Sequence, residues 1–350
     1  MVIILNTIAV CIGSLKIYWS AVMIAFAGLV FLLLALAAGR RRSYSAAAVF
    51  VMFTLTVLFS VVISRFINWY CHTEQYVSFA SAFTDYSNGG YCIISVPIGI
   101  LISAWIVSRL KLADDMASFA DDAFFGLPAA VALIRLSALF DNTCRSKIVV
   151  TAGAFQRLPF AVQVTASGGA AEYRFATFFV EFLLMLIAQA LLFAFRRYNR
   201  RRRSISEEHG TDGYGAYMSL LLFDAVELIM DSTRYDSSFV HFNGFVSIVQ
   251  MFCAITMLGI LVIISAGTVR CRGVSGRVIA TWALFLVGVV TVGISEYLVQ
   301  RHGNWHLYCY AAMSAGVIAM TVSVYWAYLA ATKKVRKNRA HRVQTAAQTV

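Results

Sequence analysis

Residues 45–69 read SAAAVFVMFTLTVLFSVVISRFINW, a run in which Arg65 alone is charged. A helix rises about 1.5 Å per residue, so the run covers the roughly 30 Å hydrocarbon core of a bilayer. A helix apolar on every face belongs in lipid or deep in a core. Arg65 stands out against it. A charge at mid-bilayer costs roughly 2.5–3.5 kcal/mol on insertion scales, so such a residue is expected to face a protein interior or a wet cavity.

Similar runs lie near 17–39, 92–108, 117–139, 175–195, 214–230, 244–267, 278–299 and 308–331, and 60% of the 350 residues are hydrophobic against 13% charged. This predicts an all-α polytopic membrane protein with about nine transmembrane helices. The weakest two are 92–108, interrupted by Pro97, and 214–230, which is short and carries two acids. Residues 1–15 are apolar but too short to span. No Lys or Arg precedes them and no small-residue cleavage site stands before Lys16, so they read as an arm on the outer surface instead of a signal peptide.

Twenty of the 29 Lys and Arg fall on alternate connections: 40–42, Arg109 and Lys111, 196–203, 270–277, and the tail from Lys333. The positive-inside rule makes that side cytoplasmic, with the N-terminus out and the C-terminus in. The net charge of +12 is then topology, and no nucleic acid is expected as a partner. The layout that follows is an exofacial arm at 1–15 and a seven-span core at 16–268. Two further transmembrane helices lie within 269–331, and a basic cytoplasmic tail at 332–350 is expected to be disordered. The core includes an exofacial loop at 141–173 and a cytoplasmic linker at 196–213. In the loop, Ile148-Val149-Val150 and Ala161-Val162-Gln163-Val164 are strand-like and predict a small hairpin cap.

Six ionisable residues sit in or at the margin of the apolar runs: Arg65, Arg135, Glu181, Asp224, Glu227 and Glu296. With this orientation all six fall in the outer half of their spans. A common polar cavity opening outward accounts for the shared depth; the alternative is that each snorkels or pairs privately, Glu296 above all, being closest to its helix end.

The surroundings of these residues resemble the prolipoprotein diacylglyceryl transferase family. Leu15-Lys16-Ile17-Tyr18-Trp19-Ser20 is similar to the aromatic start of that family's first span, and Ser64-Arg65-Phe66-Ile67-Asn68-Trp69-Tyr70 to its arginine with an aromatic end to span two. Asn88-Gly89-Gly90 resembles its exofacial Gly-Gly. Ile134-Arg135-Leu136, Phe140-Asp141-Asn142 and Arg145 look like a worn G-R-x-G-N-F-x-N-x-E signature, and Phe179-Val180-Glu181 falls at its Tyr-Glu pair. Phe223-Asp224-Ala225-Val226-Glu227 through Arg234 is similar to its V-E-x-x-R segment, followed by Ser247-Ile248-Val249-Gln250 at the polar opening of the next span. The resemblance covers residues 16–268.

It implies transfer of a diacylglyceryl group from phosphatidylglycerol, or another anionic phospholipid, to the lipobox cysteine in a prolipoprotein signal peptide. The setting it implies is the bacterial cytoplasmic (inner) membrane, in a multi-pass protein with no cofactor. The departures bear on the chemistry. The family's catalytic histidine position is Ile94, its second histidine motif has become Phe175-Ala176-Thr177, the signature's asparagines and glutamate are Ala138, Asp141 and Thr143, and its late arginine is Phe223.

Transfer asks for a cation on the phosphate, a demand that the planar fork of Arg meets in two places at once. It also asks for a base, because a free thiol with pKa about 8.5 is only a few per cent thiolate at neutral pH. Arg135 and Arg65, with Glu181, Arg234 and Arg145 around them, are the substrate-binding candidates. Asp224 and Glu227, at i and i+3 on one helix face, are the candidate bases, with His72 in reserve. The plainer alternatives are carboxylates that pair with Arg135 or Arg65 to staple helices, and a solvated histidine.

Three classes compete: a transferase; a catalytically inactive lipid- or lipoprotein-binding scaffold of the same fold; and a transporter, disfavoured by the absence of a visible repeat and of charges spread through the depth. Cys71 and Cys92 bracket an outer loop and are either bridged or free. Asp114-Asp115 and Asp121-Asp122 read as acids at a helix N-terminus, or as a metal site. No P-loop, Rossmann fingerprint or H-E-x-x-H is present, so nucleotide and zinc chemistry lack support.

Overall fold

The computed structural model describes residues 8–13, 15–42, 44–84, 90–113, 115–140, 145–165, 171–206, 213–239, 244–302 and 306–348. Asn88-Gly89, Asp141-Asn142-Thr143 and the first seven residues of the N-terminal arm lie outside them. The chain forms two compact units, Met1–Gln250 and Met251–Val350.

The first unit opens with strands β1 (Ile8–Ile12) and β2 (Leu15–Tyr18), an antiparallel hairpin where an apolar arm was expected. Helices α1 (Trp19–Gly39) and α2 (Ala46–Cys71) follow, then the short α3 (Ser81–Thr84) and α4 (Ser95–Arg109). Next come α5 (Met116–Ala123), α6 (Leu127–Leu136) and the short α7 (Gly153–Gln156). Strands β3 (Ala161–Thr165) and β4 (Ala171–Phe175) lead into α8 (Thr177–Ser206) and α9 (Tyr214–Thr233). Helix α10 (Ile248–Arg272) begins at the unit's end, and the second unit carries the rest of it with α11 (Gly276–His302) and α12 (His306–Gln348).

Among the described residues seven helices are long and apolar enough to cross a membrane: Trp19–Arg42, Ala46–Cys71, Met116–Phe140, Thr177–Asn199, Ile248–Arg270, Gly276–His302 and His306–Thr332. The two runs that looked weakest are also helical. One is α4, whose 15 residues reach about 22 Å at 1.5 Å each. The other is α9, which carries three acids and packs along α8. Exposed Leu33, Phe50, Leu58, Ile187, Leu191 and Ile255 give the helices the lipid-facing surface that a soluble protein would hide. The chain is a multi-pass membrane protein.

Met116–Phe140 is the enclosed span, with 72% of its most apolar window buried against 22% for Trp19–Arg42. It is also broken, into α5 and α6 with a 3-10 turn at Phe124–Gly126 between them, because Pro128 lacks an amide N–H and its ring clashes with a continuous helix. In lipid every backbone group freed by such a break must find a partner. The side chain of Gln189 on α8 accepts from the Ala129 N–H at 3.2 Å, and the Ser219 hydroxyl on α9 donates to the Phe124 carbonyl at 2.7 Å. The break is thus a designed joint between three helices. At its N-terminus α5 is capped by Asp115, which accepts from the Ala117 and Ser118 amides; the Ser118 hydroxyl above all holds this carboxyl below its usual range.

Small residues set the closest helix contacts. A Cβ on Gly99 would lie 2.6 Å from Ser60 Oγ and 3.0 Å from the Thr56 carbonyl, so α2 and α4 meet only because that side chain is absent. In the second unit a Cβ on Gly288 of α11 would lie 2.7 Å from the Gly316 carbonyl of α12.

The expected cap is present with different strand pairing. Residues 161–165 pair with 171–175, from Ala161 opposite Phe175 to Thr165 opposite Ala171, and 148–150 join only through Val150 N–H to the Tyr173 carbonyl and Phe175 N–H to the Ile148 carbonyl. The stretch AEYRF alternates weakly and runs straight into an apolar helix, which hid it as a strand. Val162, Ala176 and Phe178 pack on Ala138, closing the cap over the ends of α6 and α8.

Two segments differ from the expected layout. The linker at 196–213 is helical through Ser206, since Arg-rich sequence has good helix propensity once a span has nucleated it. The tail expected to be disordered continues α12 as helix to Gln348, for the same reason.

Candidate functional site

Arg135 occupies the last turn of α6, where a cation meets the negative end of the helix dipole. Glu181 lies in the second turn of α8 and Glu227 in the C-terminal half of α9. These three helices pack on one another, and their charges meet: Arg135 Nη2 donates to Glu227 Oε2 at 2.6 Å, and Arg135 Nε is ion-paired with Glu181 Oε1. Arg135 is 4% exposed and both glutamates are wholly buried. One guanidinium therefore holds two carboxylates in a dry site. Arg135 donates to one oxygen of Glu227; among the described residues Glu227 Oε1 and Glu181 Oε2 accept from no donor, and the two carboxyls lie within hydrogen-bonding reach of each other.

Two more acids share the face of α9. Asp224, one turn before Glu227, is 0% exposed, and Asp231, one turn after, is 1% exposed. Asp231 was not among the sequence candidates, although its spacing of four from Glu227 marks the same face. Beyond it α9 is pinned to the cap. Thr177 and Thr233 hydroxyls are 2.9 Å apart, the Ser146 hydroxyl donates to the Thr233 carbonyl at 2.9 Å, and Tyr235 N–H donates to the Arg145 carbonyl at 2.8 Å. Ser247-Ile248-Val249-Gln250 is a capping box. Ser247 Oγ accepts from Gln250 N–H, the Gln250 side-chain carbonyl accepts from Ser247 N–H, and its amide donates to the Leu228 carbonyl of α9.

Arg65 lies near the C-terminal end of α2, on a helix that packs against α4. It is 1% exposed, and its guanidinium lies 4.9 Å from the Tyr91 ring centre. The neighbouring Ser64 hydroxyl accepts from Cys92 N–H at 2.6 Å, and Cys92 is an electrostatic neighbour of Asp231, Arg234 and Arg135. Ile94, at the position of the family's histidine, is 2% exposed and begins α4.

The remaining candidates are placed differently. Arg234 is forked onto Asp236, Nε to Oδ1 at 3.0 Å and Nη2 to Oδ2 at 2.9 Å, so its guanidinium is committed beside the site. Arg145 is placed next to it by its backbone pairing to Tyr235. His72 caps α2, half-buried, with Nδ1 3.1 Å from the Asn68 carbonyl. Glu296 lies in the second unit and accepts from Gln300 one turn on. Cys71 and Cys92 are both free thiols.

The acids at 121–122 are engaged by arginines and backbone amides. Asp122 is paired with Arg42 and, at 3.1 Å, with Arg196, while Asp121 accepts from the Gly213 and Ala216 amides at 3.0 and 2.8 Å, capping α9. Among the described residues no group of three or more His, Cys, Asp or Glu could hold a metal ion. This cluster gathers the turn after α1, the end of α5, the basic end of α8 and the start of α9. Arg135 on α6, Glu181 on α8 and Thr233 on α9 mark the opposite level, so α9 traverses the same depth as the apolar part of α8.

A family model described as prolipoprotein diacylglyceryl transferase matches residues 7–266, well over half of the chain. No curated protein matches it.

Proposed function

Because the chain belongs to the prolipoprotein diacylglyceryl transferase family, we propose that it transfers a diacylglyceryl group from phosphatidylglycerol to the cysteine thiol of a prolipoprotein, with Glu227 as the base. What carries this function is the Glu227 carboxylate. Arg135 fixes it through Oε2, while Oε1, buried, accepts from no donor among the described residues and its nearest acid is the Glu181 carboxyl, within hydrogen-bonding reach. Such an acceptor costs about 1–3 kcal/mol, and its retention in a buried site marks a place where an incoming donor is received. A cysteine S–H is a donor of that kind.

In the step, Oε1 takes the thiol proton and the sulfur forms a bond to the glycerol carbon that carried the phosphate. The carbon–oxygen bond breaks and glycerol phosphate leaves, taking the proton from Glu227. Arg65 and Arg135 stand on the phosphate side, where developing negative charge is stabilised by fixed cations. Asp224 and Asp231 bracket the base on the same helix face, both buried. His72, half-buried at the end of α2, is the second candidate proton carrier.

The topology that goes with this chemistry has α4 and α9 as the two remaining spans, giving nine. The N-terminus is out, the basic ends are in the cytoplasm, and the cap lies over the outer leaflet of a bacterial cytoplasmic membrane. The concentration of Lys and Arg at one set of helix ends supports it.

One observation favours a second function, an inactive lipid- or lipoprotein-binding scaffold: the position of the family's histidine is a buried isoleucine, Ile94. Complementation separates the two. Cells depleted of their own diacylglyceryl transferase and given this chain will make lipid-modified prolipoprotein, and Glu227→Gln will abolish it at equal expression. Absence of modified product from well-expressed wild type would leave the scaffold.

A further inference from the structure

The basic end of α8 carries a second feature, independent of the transferase chemistry. A cleft of about 130 Å³ is lined by Arg41, Phe125, Phe193, Arg196 and Arg197. We propose that it holds the phosphate of an anionic phospholipid in the leaflet opposite the Arg135–Glu181–Glu227 site.

Arg196 is the fixed member. Its Nη2 lies 3.1 Å from Asp122 Oδ1 and donates to the Asp121 carbonyl, and its guanidinium stacks 4.3 Å from the Phe125 ring centre. Held on one edge and one face, it keeps a pre-organised donor fork on the cleft. Arg41 and Arg197 are exposed and make no ion pair among the described residues. Around the cleft the cations Arg41, Arg42, Arg196 and Arg197 outnumber the acids Asp121 and Asp122, so the local field attracts an anion.

Lipid is the source that the surroundings favour. Phe193 is 52% exposed on the apolar face of α8, so acyl chains below a bound head group would run over it. Fifteen residues, about 22 Å at 1.5 Å each, separate Arg196 from Glu181 along α8, so one lipid head cannot serve both places.

The test measures retention of phosphatidylglycerol by native mass spectrometry, on protein taken from phosphatidylcholine nanodiscs containing a minor fraction of it. Arg41→Gln/Arg197→Gln is expected to weaken retention at least about tenfold, the scale of a lost charge-assisted arginine contact, at unchanged melting temperature. Arg109→Gln, a charge lost elsewhere on the basic side, is expected to change it less than about twofold, the scale of an exposed charge pair. Equal effects of the two changes would overturn the site. Arginine-dependent binding of inorganic phosphate in pure phosphatidylcholine discs would overturn the lipid source. Should the double variant unfold, a photoreactive phosphatidylglycerol head group on wild type is expected to label the peptide at residues 193–197; labelling confined to other peptides would also overturn the proposal.

Discussion

Removal of Arg135 exposes the central energetic feature of the core. Arg135→Met keeps the length and apolar volume of the side chain but strips the cation from between two wholly buried carboxylates. Breaking a buried ion pair by deleting one partner costs about 3–5 kcal/mol, because the other partner keeps its desolvation penalty without its attraction. Here two carboxylates are orphaned, so the upper part of that range applies. Glu227→Gln is different. It leaves a one-to-one pair between Arg135 and Glu181, and its amide oxygen still accepts from Nη2, so a loss of about 1 kcal/mol is expected.

Arg135→Met/Glu181→Gln/Glu227→Gln removes all three charges while keeping shape, and should recover at least half of the loss in Arg135→Met. Thermal unfolding in nanodiscs reads these as melting shifts, about 2–4 °C per kcal/mol for a large domain, and so about 8–20 °C for the roughly 4–5 kcal/mol of Arg135→Met. A triple variant no more stable than Arg135→Met, or strictly additive effects of residues in direct contact, would refute the triad as a charge-balanced unit.

Three further outcomes follow from packing and capping. Gly99→Leu should destabilise the α2–α4 contact by more than about 2 kcal/mol, against under about 0.5 for a substitution at lipid-facing Leu58, by the same melting assay. Gln189→Leu leaves the Ala129 N–H at the helix break without its acceptor and should cost about 1–3 kcal/mol, with faster hydrogen exchange at that amide. Asp115→Ala removes the α5 cap and should cost about 1 kcal/mol at neutral pH. Because the folded Asp115 carboxyl lies below its usual range, its contribution is complete above the unfolded value of about 3.9 and is lost as pH falls through the lower folded value; wild type and Asp115→Ala should therefore converge in acid.

The helical, lipid-embedded architecture was legible because a bilayer leaves a chain few options: long apolar runs must be helices. Arg135, Glu181 and Glu227 were legible only as part of a set of six, with Arg65, Asp224 and Glu296, since a charge in lipid needs a partner and all six fell at one depth. What could not be read was which carboxylate each arginine would take. Arg234 is three residues from Asp231, yet its fork goes to Asp236, two residues on, because the chain turns back just after α9. The role of Asp121 and Asp122 was hidden because their partners, Arg42 and Arg196, lie some 75 residues away on either side, and helix-start acids look alike whether solvated or buried. Strand β4 was missed because Ala171–Phe175 runs into the apolar face of α8 with no turn residue between them.

Transfer itself is the direct measure of the central claim. Purified protein in phosphatidylglycerol nanodiscs would be incubated with a lipobox peptide bearing its cysteine, and the peptide mass followed. Wild type is expected to add one diacylglyceryl group through a thioether. Glu227→Gln, folded as judged by a melting shift within about 1 kcal/mol of wild type, is expected to add none, and His72→Ala to remain active. A wild type that leaves the peptide unmodified, or a Glu227→Gln protein that modifies it at the wild-type rate, would contradict the assignment of Glu227 as the base.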